Sequence, residues 1–331
     1  MLKRLCLSAL LALFAQPSLS LANDTSASLS TGGLVFLRSQ DIWMQQEDLF
    51  ISEKQVRVDY IFKNSAKVDV ESIVAFPMPD MVAENDSMIS IPHRESDNFL
   101  DFTVTADGQP ITPTLQQRAA TDGLDVTDIL AGKGIPVSPF DSKVGAAINA
   151  LDDQTKEDWI SRGLLIESSE STDGKVIFNP GWTLKSTFWW SMKFPAGKEL
   201  RVSHRYKPSV GGGVGLRFDP TGKAPMADDA EHTRKYCRDK DFNQTVAKIV
   251  EKEPPNSYPL YENWISYVLT TGANWAGSIQ KFKLTIDKGD PDTLISFCGK
   301  NVRKTGPTTF EMTAENFLPQ EDLNILLLER K

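Results

Sequence analysis

The sequence predicts a mainly β, α+β protein, built of antiparallel sandwich-like sheets with a helical insertion and one charged helix. Three observations carry this. Period-two alternation of apolar and polar residues recurs at both ends of the chain. A middle stretch is poor in β-branched residues and has apolar residues at helical spacing instead. A charged stretch, Asp228 to Glu253, ends in apolar Val246, Ile249 and Val250 and is closed by Pro254-Pro255, which reads as a helix around 231–252.

The chain opens with Lys3 and Arg4, an apolar run from Leu5 to Phe14, and Ser20-Leu21-Ala22, which places small residues where a signal peptidase reads. Residues 1–22 are therefore expected to be a cleaved signal peptide. A run of roughly 10 apolar residues falls short of the ~20 that a spanning helix needs, and Gln16-Pro17 ends it, so no transmembrane anchor is expected. Cys6 is not preceded by the small-residue pattern of a lipoprotein site and leaves with the segment. The location that follows is periplasmic or secreted. The formal net charge is −8, and losing Lys3 and Arg4 brings it to −10. An acidic chain without a Lys/Arg cluster repels phosphate, which argues against nucleic acid as a partner.

Residues 23–115 read as an N-terminal β region. Val56, Val58, Tyr60 and Phe62 alternate with Arg57, Asp59 and Ile61, and Val68 to Phe76 follows as a second strand ending at Pro77 and Pro79. The two read together as a hairpin. Leu100, Phe102 and Val104 alternate up to Asp107-Gly108, a strong turn dipeptide. Residues 116–180 read as a helical insertion or connection, with Val144, Ile148 and Leu151 on one helix face and a short helix from Thr155 to Arg162 docked by Trp159-Ile160. It either packs on the sheet or forms a lid. Residues 181–331 read as a C-terminal β region. Phe188 to Phe194 and Leu200 to Tyr206 suggest a second hairpin around Pro195-Ala196-Gly197, and further strands run through Phe282 to Ile286, Leu294 to Cys298, Phe310 to Met312 and Leu323 to Leu327.

Loss of Cys6 leaves Cys237 and Cys298, and an even count in an exported chain suggests one disulfide; two buried free thiols are the alternative. Their spacing is wrong for zinc. His93, His204 and His232 are scattered and form no H-x-x-x-H pair, so no metal or other cofactor is expected. His204, in phase with Val202 and Tyr206, reads as a hydrogen-bonded interior histidine. No G-x-S-x-G elbow is present, and Gly211 to Gly215 lacks the spacing of a nucleotide loop. Asp152-Asp153 and Asp228-Asp229 read as solvated surface charge. Carboxylates paired only by the fold stay open as hydrolytic groups.

Between Tyr258 and Gly277, the aromatic and polar side chains of Tyr261, Trp264, Thr270, Thr271, Asn274 and Trp275 are candidates for a ligand-stacking surface, with rings giving area and hydroxyls orientation. The competing reading is that Trp264 and Trp275 fill the core. In Trp189-Trp190, alternation buries one ring and exposes the other.

Several segments in one order resemble a known family. Thr31-Gly32-Gly33-Leu34-Val35-Phe36, Glu47 to Ser52, Val56 to Asn64, Val74 to Pro79, His204 to Gly212, Tyr267 to Trp275, Phe282 to Ile286 and Asn316 to Pro319 resemble the domain of unknown function 4424 family. The resemblance implies an exported bacterial protein and carries no catalytic residues with it. Phe76-Pro77-Met78-Pro79 is also similar to the sandwich domain beside von Willebrand type A domains in the inter-alpha-trypsin inhibitor family, which would imply adhesion or scaffolding. The expected function is a non-enzymatic envelope protein that binds a protein or glycan. The competing expectation is a hydrolase of envelope polymers using paired Asp/Glu.

Overall fold

A computed structural model describes residues 23–30, 33–83, 88–94, 96, 98–168, 176–224, 226–254 and 257–330. The expected signal peptide lies outside the described residues. Three sheets organise the chain. The first, of seven strands, runs in the order Leu124–Asp125, Thr114–Thr121, Thr183–Phe194, Val70–Pro77, Thr25–Ser30, Gly33–Leu37, with Met81–Val82 added beside Thr183–Phe194. The second, of eight strands, runs Arg303–Lys304, Thr309–Phe317, Ile279–Asp287, Ile42–Ile51, Val56–Asn64, Glu199–Tyr206, Thr103–Ala106, Gln109–Ile111. The third, of five, runs Leu294–Phe297, Leu323–Arg330, Leu260–Tyr267, Val210–Gly213, Met88–Ser90. Pairing is antiparallel except between Ile279–Asp287 and Ile42–Ile51.

One apolar core joins the inner faces of all three sheets. It includes Leu49, Val58 and Phe62 from the second sheet, Val74, Phe76 and Phe188 from the first, and Ile265, Tyr267 and Ile325 from the third. The two β regions read along the chain thus interleave: strands from both stand side by side in the first and second sheets.

The two expected hairpins are instead crossings between sheets. Val56–Asn64 belongs to the second sheet and Val70–Pro77 to the first, and the same holds for Glu199–Tyr206 and Thr183–Phe194. Each strand pairs with its counterpart from the other crossing, Val56–Asn64 with Glu199–Tyr206 and Val70–Pro77 with Thr183–Phe194. Alternation reports that one face of a strand is buried; it does not report which strand lies alongside. Asn64 fastens the two crossings together. Its buried amide donates to Val68 O at 3.0 Å and Phe194 O at 2.9 Å, and its backbone N–H donates to Lys198 O at 3.2 Å. By contrast, Asp107-Gly108 makes the short turn its sequence calls for, with both residues at positive φ between Ala106 and Gln109.

The insertion holds three short helices, Thr127–Gly132, Val144–Asn149 and Asp153–Ser161, and a ribbon of Leu165–Ser168 with Ile177–Pro180. Asp152 starts the last helix by accepting from Thr155 N–H at 2.8 Å. Leu130, Ile148, Trp159 and Trp182 form a small core of its own, and Trp182 Nε1 donates to Val137 O at 2.8 Å. Strand Thr114–Thr121, across the expected boundary at residue 116, belongs to the first sheet.

The single helix read around 231–252 is two helices, Asp229–Tyr236 and Lys240–Val250. Cys237 adopts a left-handed conformation that cannot continue the first, and Asp239 caps the second through Phe242 N–H at 2.7 Å. Both lie on the third sheet over Phe218, Leu260, Leu326 and Leu328. The Cys237 and Cys298 sulfurs are 2.08 Å apart, within disulfide distance, with Cα atoms 5.0 Å apart. The link joins the end of the first helix to the end of strand Leu294–Phe297. Among the described residues no helix is long and apolar enough to cross a membrane.

Candidate functional site

Strand Leu260–Tyr267 runs through the middle of the third sheet, and its alternation sends Ile265 and Tyr267 into the main core. Leu260, Glu262 and Trp264 point the other way, toward helix Asp229–Tyr236. A groove of about 200 Å³ opens there, lined by Arg217, Asp228, Glu231, His232, Lys235 and Trp264, with Glu262 beneath. The half-buried indole of Trp264 lies directly on Gly211, its cross-strand partner. Only a residue without a side chain permits this approach. The Arg217 guanidinium stands 5.7 Å from the ring centroid.

Glu262 is fully buried and anchors the groove floor. One carboxylate oxygen accepts the Arg217 backbone N–H at 2.7 Å, and the other lies 3.3 Å from His232 Nε2. The His232 ring sits between Phe218 and Tyr236, and its buried Nδ1 has no hydrogen-bond partner among the described residues. Arg238 holds the wall in place: its guanidinium covers Phe218 at 3.7 Å and donates to Asp229 Oδ1 at 2.7 Å and Thr233 Oγ1 at 2.6 Å. The groove therefore combines a partly accessible indole with fixed groups of both charges.

A second polar site is sealed inside the main core. Asn23, Asp24, Glu47 and His204 are each 0% exposed. Asn23 Nδ2 reaches both Glu47 oxygens, at 3.1 and 3.2 Å, and its Oδ1 accepts from Tyr60 OH. Tyr60 OH in turn lies 3.3 Å from Tyr267 OH. Asp24 Oδ2 is 3.3 Å from His204 Nε2, outside hydrogen-bond geometry, and among the described residues neither side chain has a hydrogen-bond partner. The rings of Tyr60, Phe76, Phe102 and Trp190 surround His204. Burial pushes the Glu47 carboxyl up to about 8; the Asn23 amide opposes this and Asp24 adds to it. Burial also raises Asp24, against the pull of His204.

The six residues proposed for a stacking surface divide among separate places. Trp264 lines the groove. Tyr261 OH donates to Glu329 at 2.6 Å. Thr270 Oγ1 donates to Asp322 at 2.8 Å. Thr271, Asn274 and Trp275 instead hold the segment at Asn23: Thr271 Oγ1 donates to Asn23 O at 2.6 Å, Trp275 Nε1 to Asp24 O at 2.6 Å, and Asn274 Nδ2 to Thr25 Oγ1 at 3.0 Å. Trp275 is core, at 1% exposure. His204 is interior, as its phase suggests, but it faces a carboxylate across an ion pair without a hydrogen bond. Trp190 is buried and Trp189 half-buried.

Besides Asp24 and Glu47, Glu53 and Glu329 are carboxyls brought near one another. Burial raises the Glu53 carboxyl, and the charge of Glu329 raises it further, while the hydrogen bond from Asn263 opposes the shift. Among the described residues no group of three or more His, Cys, Asp or Glu side chains is placed to hold a metal ion. The sequence reading missed Asn23, Asp24, Glu47, Arg217, His232 and Glu262. Phase was the available signal for Glu47 and Glu262: Glu47 alternates with Leu49 and Ile51, and Glu262 with Leu260 and Trp264, so each carboxyl stands in an inward-facing row.

A family model described as a domain of unknown function (DUF4424) matches residues 22–326. No curated protein matches the chain. Among solved structures, a Legionella pneumophila protein titled a "putative nutrient binding protein" is similar at 15% identity and a TM-score of 0.45, over 93% of this chain and 70% of that one.

Proposed function

The chain belongs to the DUF4424 family, and from the export-type N-terminus and the geometry of the Trp264 groove we propose a non-enzymatic envelope protein, periplasmic or secreted, that binds a glycan. The observation that carries this is the half-buried indole of Trp264, backed by Gly211 and Arg217 in a groove lined by Asp228, Glu231 and Lys235. A ring gives the apolar C–H face of a sugar an area to stack on, and charged groups around it order the hydroxyls. The cysteine pair at disulfide distance supports an oxidising compartment.

The test is calorimetric titration of residues 23–331 with envelope glycan fragments. Binding should weaken at least ~10-fold in Trp264→Ala and Arg217→Ala. Capture of a protein partner that depends on Trp264, without glycan binding, would replace the glycan with a protein. Turnover abolished by one carboxylate substitution would make the chain an enzyme.

A further inference from the structure

Asn23, Asp24 and Thr25 are all 0% exposed, although they are the first three residues after the Ser20-Leu21-Ala22 signature. Chain ends are ordinarily solvated and poorly ordered unless tied down. Here the segment is tied at four points: Thr271 to Asn23 O, Trp275 to Asp24 O, Asn274 to Thr25 Oγ1, and Asn23 Nδ2 to Glu47. The site they enter holds two acids, Asp24 and Glu47, and one imidazole, His204. Among the described residues no lysine or arginine side chain joins them, and both Asp24 oxygens lack a hydrogen-bond partner. His204 faces Asp24 at 3.3 Å, but with both Asp24 and Glu47 ionised that single ring leaves the site one positive charge short, and a buried carboxylate without a counter-charge is costly.

We infer that the Ala22–Asn23 bond is a processing site whose cleavage supplies that charge, the new α-ammonium of Asn23 serving as counter-ion to the buried Asp24 and Glu47 carboxylates. Hydrolysis of the peptide bond consumes one water, leaves the carboxylate on Ala22 and frees an amine on Asn23, which takes a proton from solvent. The nitrogen belongs to the residue whose side-chain amide already touches both Glu47 oxygens, and it adjoins Asp24 in the chain. Export and folding are thereby coupled, because the interior balances both carboxylates in their ionised form only in the cleaved chain. The inference rests on the export reading, and the experiment separates the two.

The full chain is expressed in an exporting host, and the mature protein is identified by intact mass and N-terminal sequencing. A first residue other than Asn23 overturns the processing site itself. If Asn23 is first, amine labelling follows: the α-amine should react about 100-fold more slowly in the native protein than in urea, as buried groups that react only on opening do. Labelling at the rate of a free peptide amine overturns the docking while leaving export intact. A second measurement compares the mature chain with one carrying Gly-Ser before Asn23. The extension should lower Tm by about 5 °C or more. Glu47→Gln should lower Tm in the mature chain and leave it unchanged or raise it in the extended chain. The same change in both chains overturns the ion pair.

Discussion

Gly211→Ala tests how the groove is built. Gly211 pairs directly across the third sheet with Trp264, and a Cβ added there would stand 2.2 Å from indole Cε2 and Nε1 and 2.6 Å from Cζ2. Ordinary contact begins near 3.4 Å, so the ring must withdraw by roughly 1 Å or more, carrying its contact with Arg217 along. Gly211 does not have a positive φ, so the cost is steric and not conformational. Overpacking of this kind costs about 1–3 kcal/mol, which corresponds to a Tm loss of roughly 2–8 °C for a chain of this size. Gly212→Ala is the control: its nearest neighbour is the Asn263 side-chain oxygen at 3.1 Å, which can turn aside. Calorimetry gives the Tm values. A ¹⁵N spectrum, with the indole resonance assigned by Trp264→Phe, follows the ring. Gly211→Ala should shift that resonance and weaken glycan binding while the fold persists. An unmoved resonance with unchanged Tm, or equal effects at 211 and 212, would refute the reasoning.

Replacing Cys237 and Cys298 together by Ser opens a loop with a sequence separation of 61 and should cost on the order of 4 kcal/mol, read as a lower urea midpoint; an unchanged midpoint would show that the link contributes nothing. Phe102→Ala removes a ring stacked on Phe188 at 4.3 Å and on Phe76 at 5.3 Å, and should cost about 3–5 kcal/mol, measured by equilibrium unfolding. In a chain whose Asn23 amine is blocked, Glu47 titrates near 8 when folded and near its ordinary 4.5 when unfolded. Between these values the folded state holds the extra proton, so stability falls as pH rises from about 4.5 to about 8, by a total on the order of 5 kcal/mol. Unfolding free energies at pH 5 and pH 8 should show that slope, and Glu47→Gln should flatten it.

Local chemistry accounts for what could be read early. Asp107-Gly108 specifies its turn because both residues tolerate positive φ. The short helix read from Thr155 to Arg162 starts two residues earlier, at Asp153, where Asp152, read as solvated surface charge, caps its first turn by accepting from the Thr155 N–H. The second helix start at Asp239 uses the same chemistry, but the break at Cys237 was hidden inside one continuous charged stretch. The candidate site was less legible. The aromatic cluster near Trp264 and Trp275 is continuous in sequence, yet the strand ends at Tyr267 and a short 3-10 turn, Thr270–Asn274, redirects the chain toward Asn23. One tryptophan thus lines a groove and the other fills the core.

The sequence by itself determined the mainly β character, because alternation depends on residues near one another, and by simple counting it suggested a cysteine pair that the structure places at disulfide distance. Only the tertiary structure decided that the apparent hairpins cross between sheets, and that Asn23, Asp24, Glu47 and His204 share one dry interior. Alternation encodes which face of a strand is buried. It carries no information about which distant strand closes over that face, and the balance of charge inside a core exists only once those strands have met.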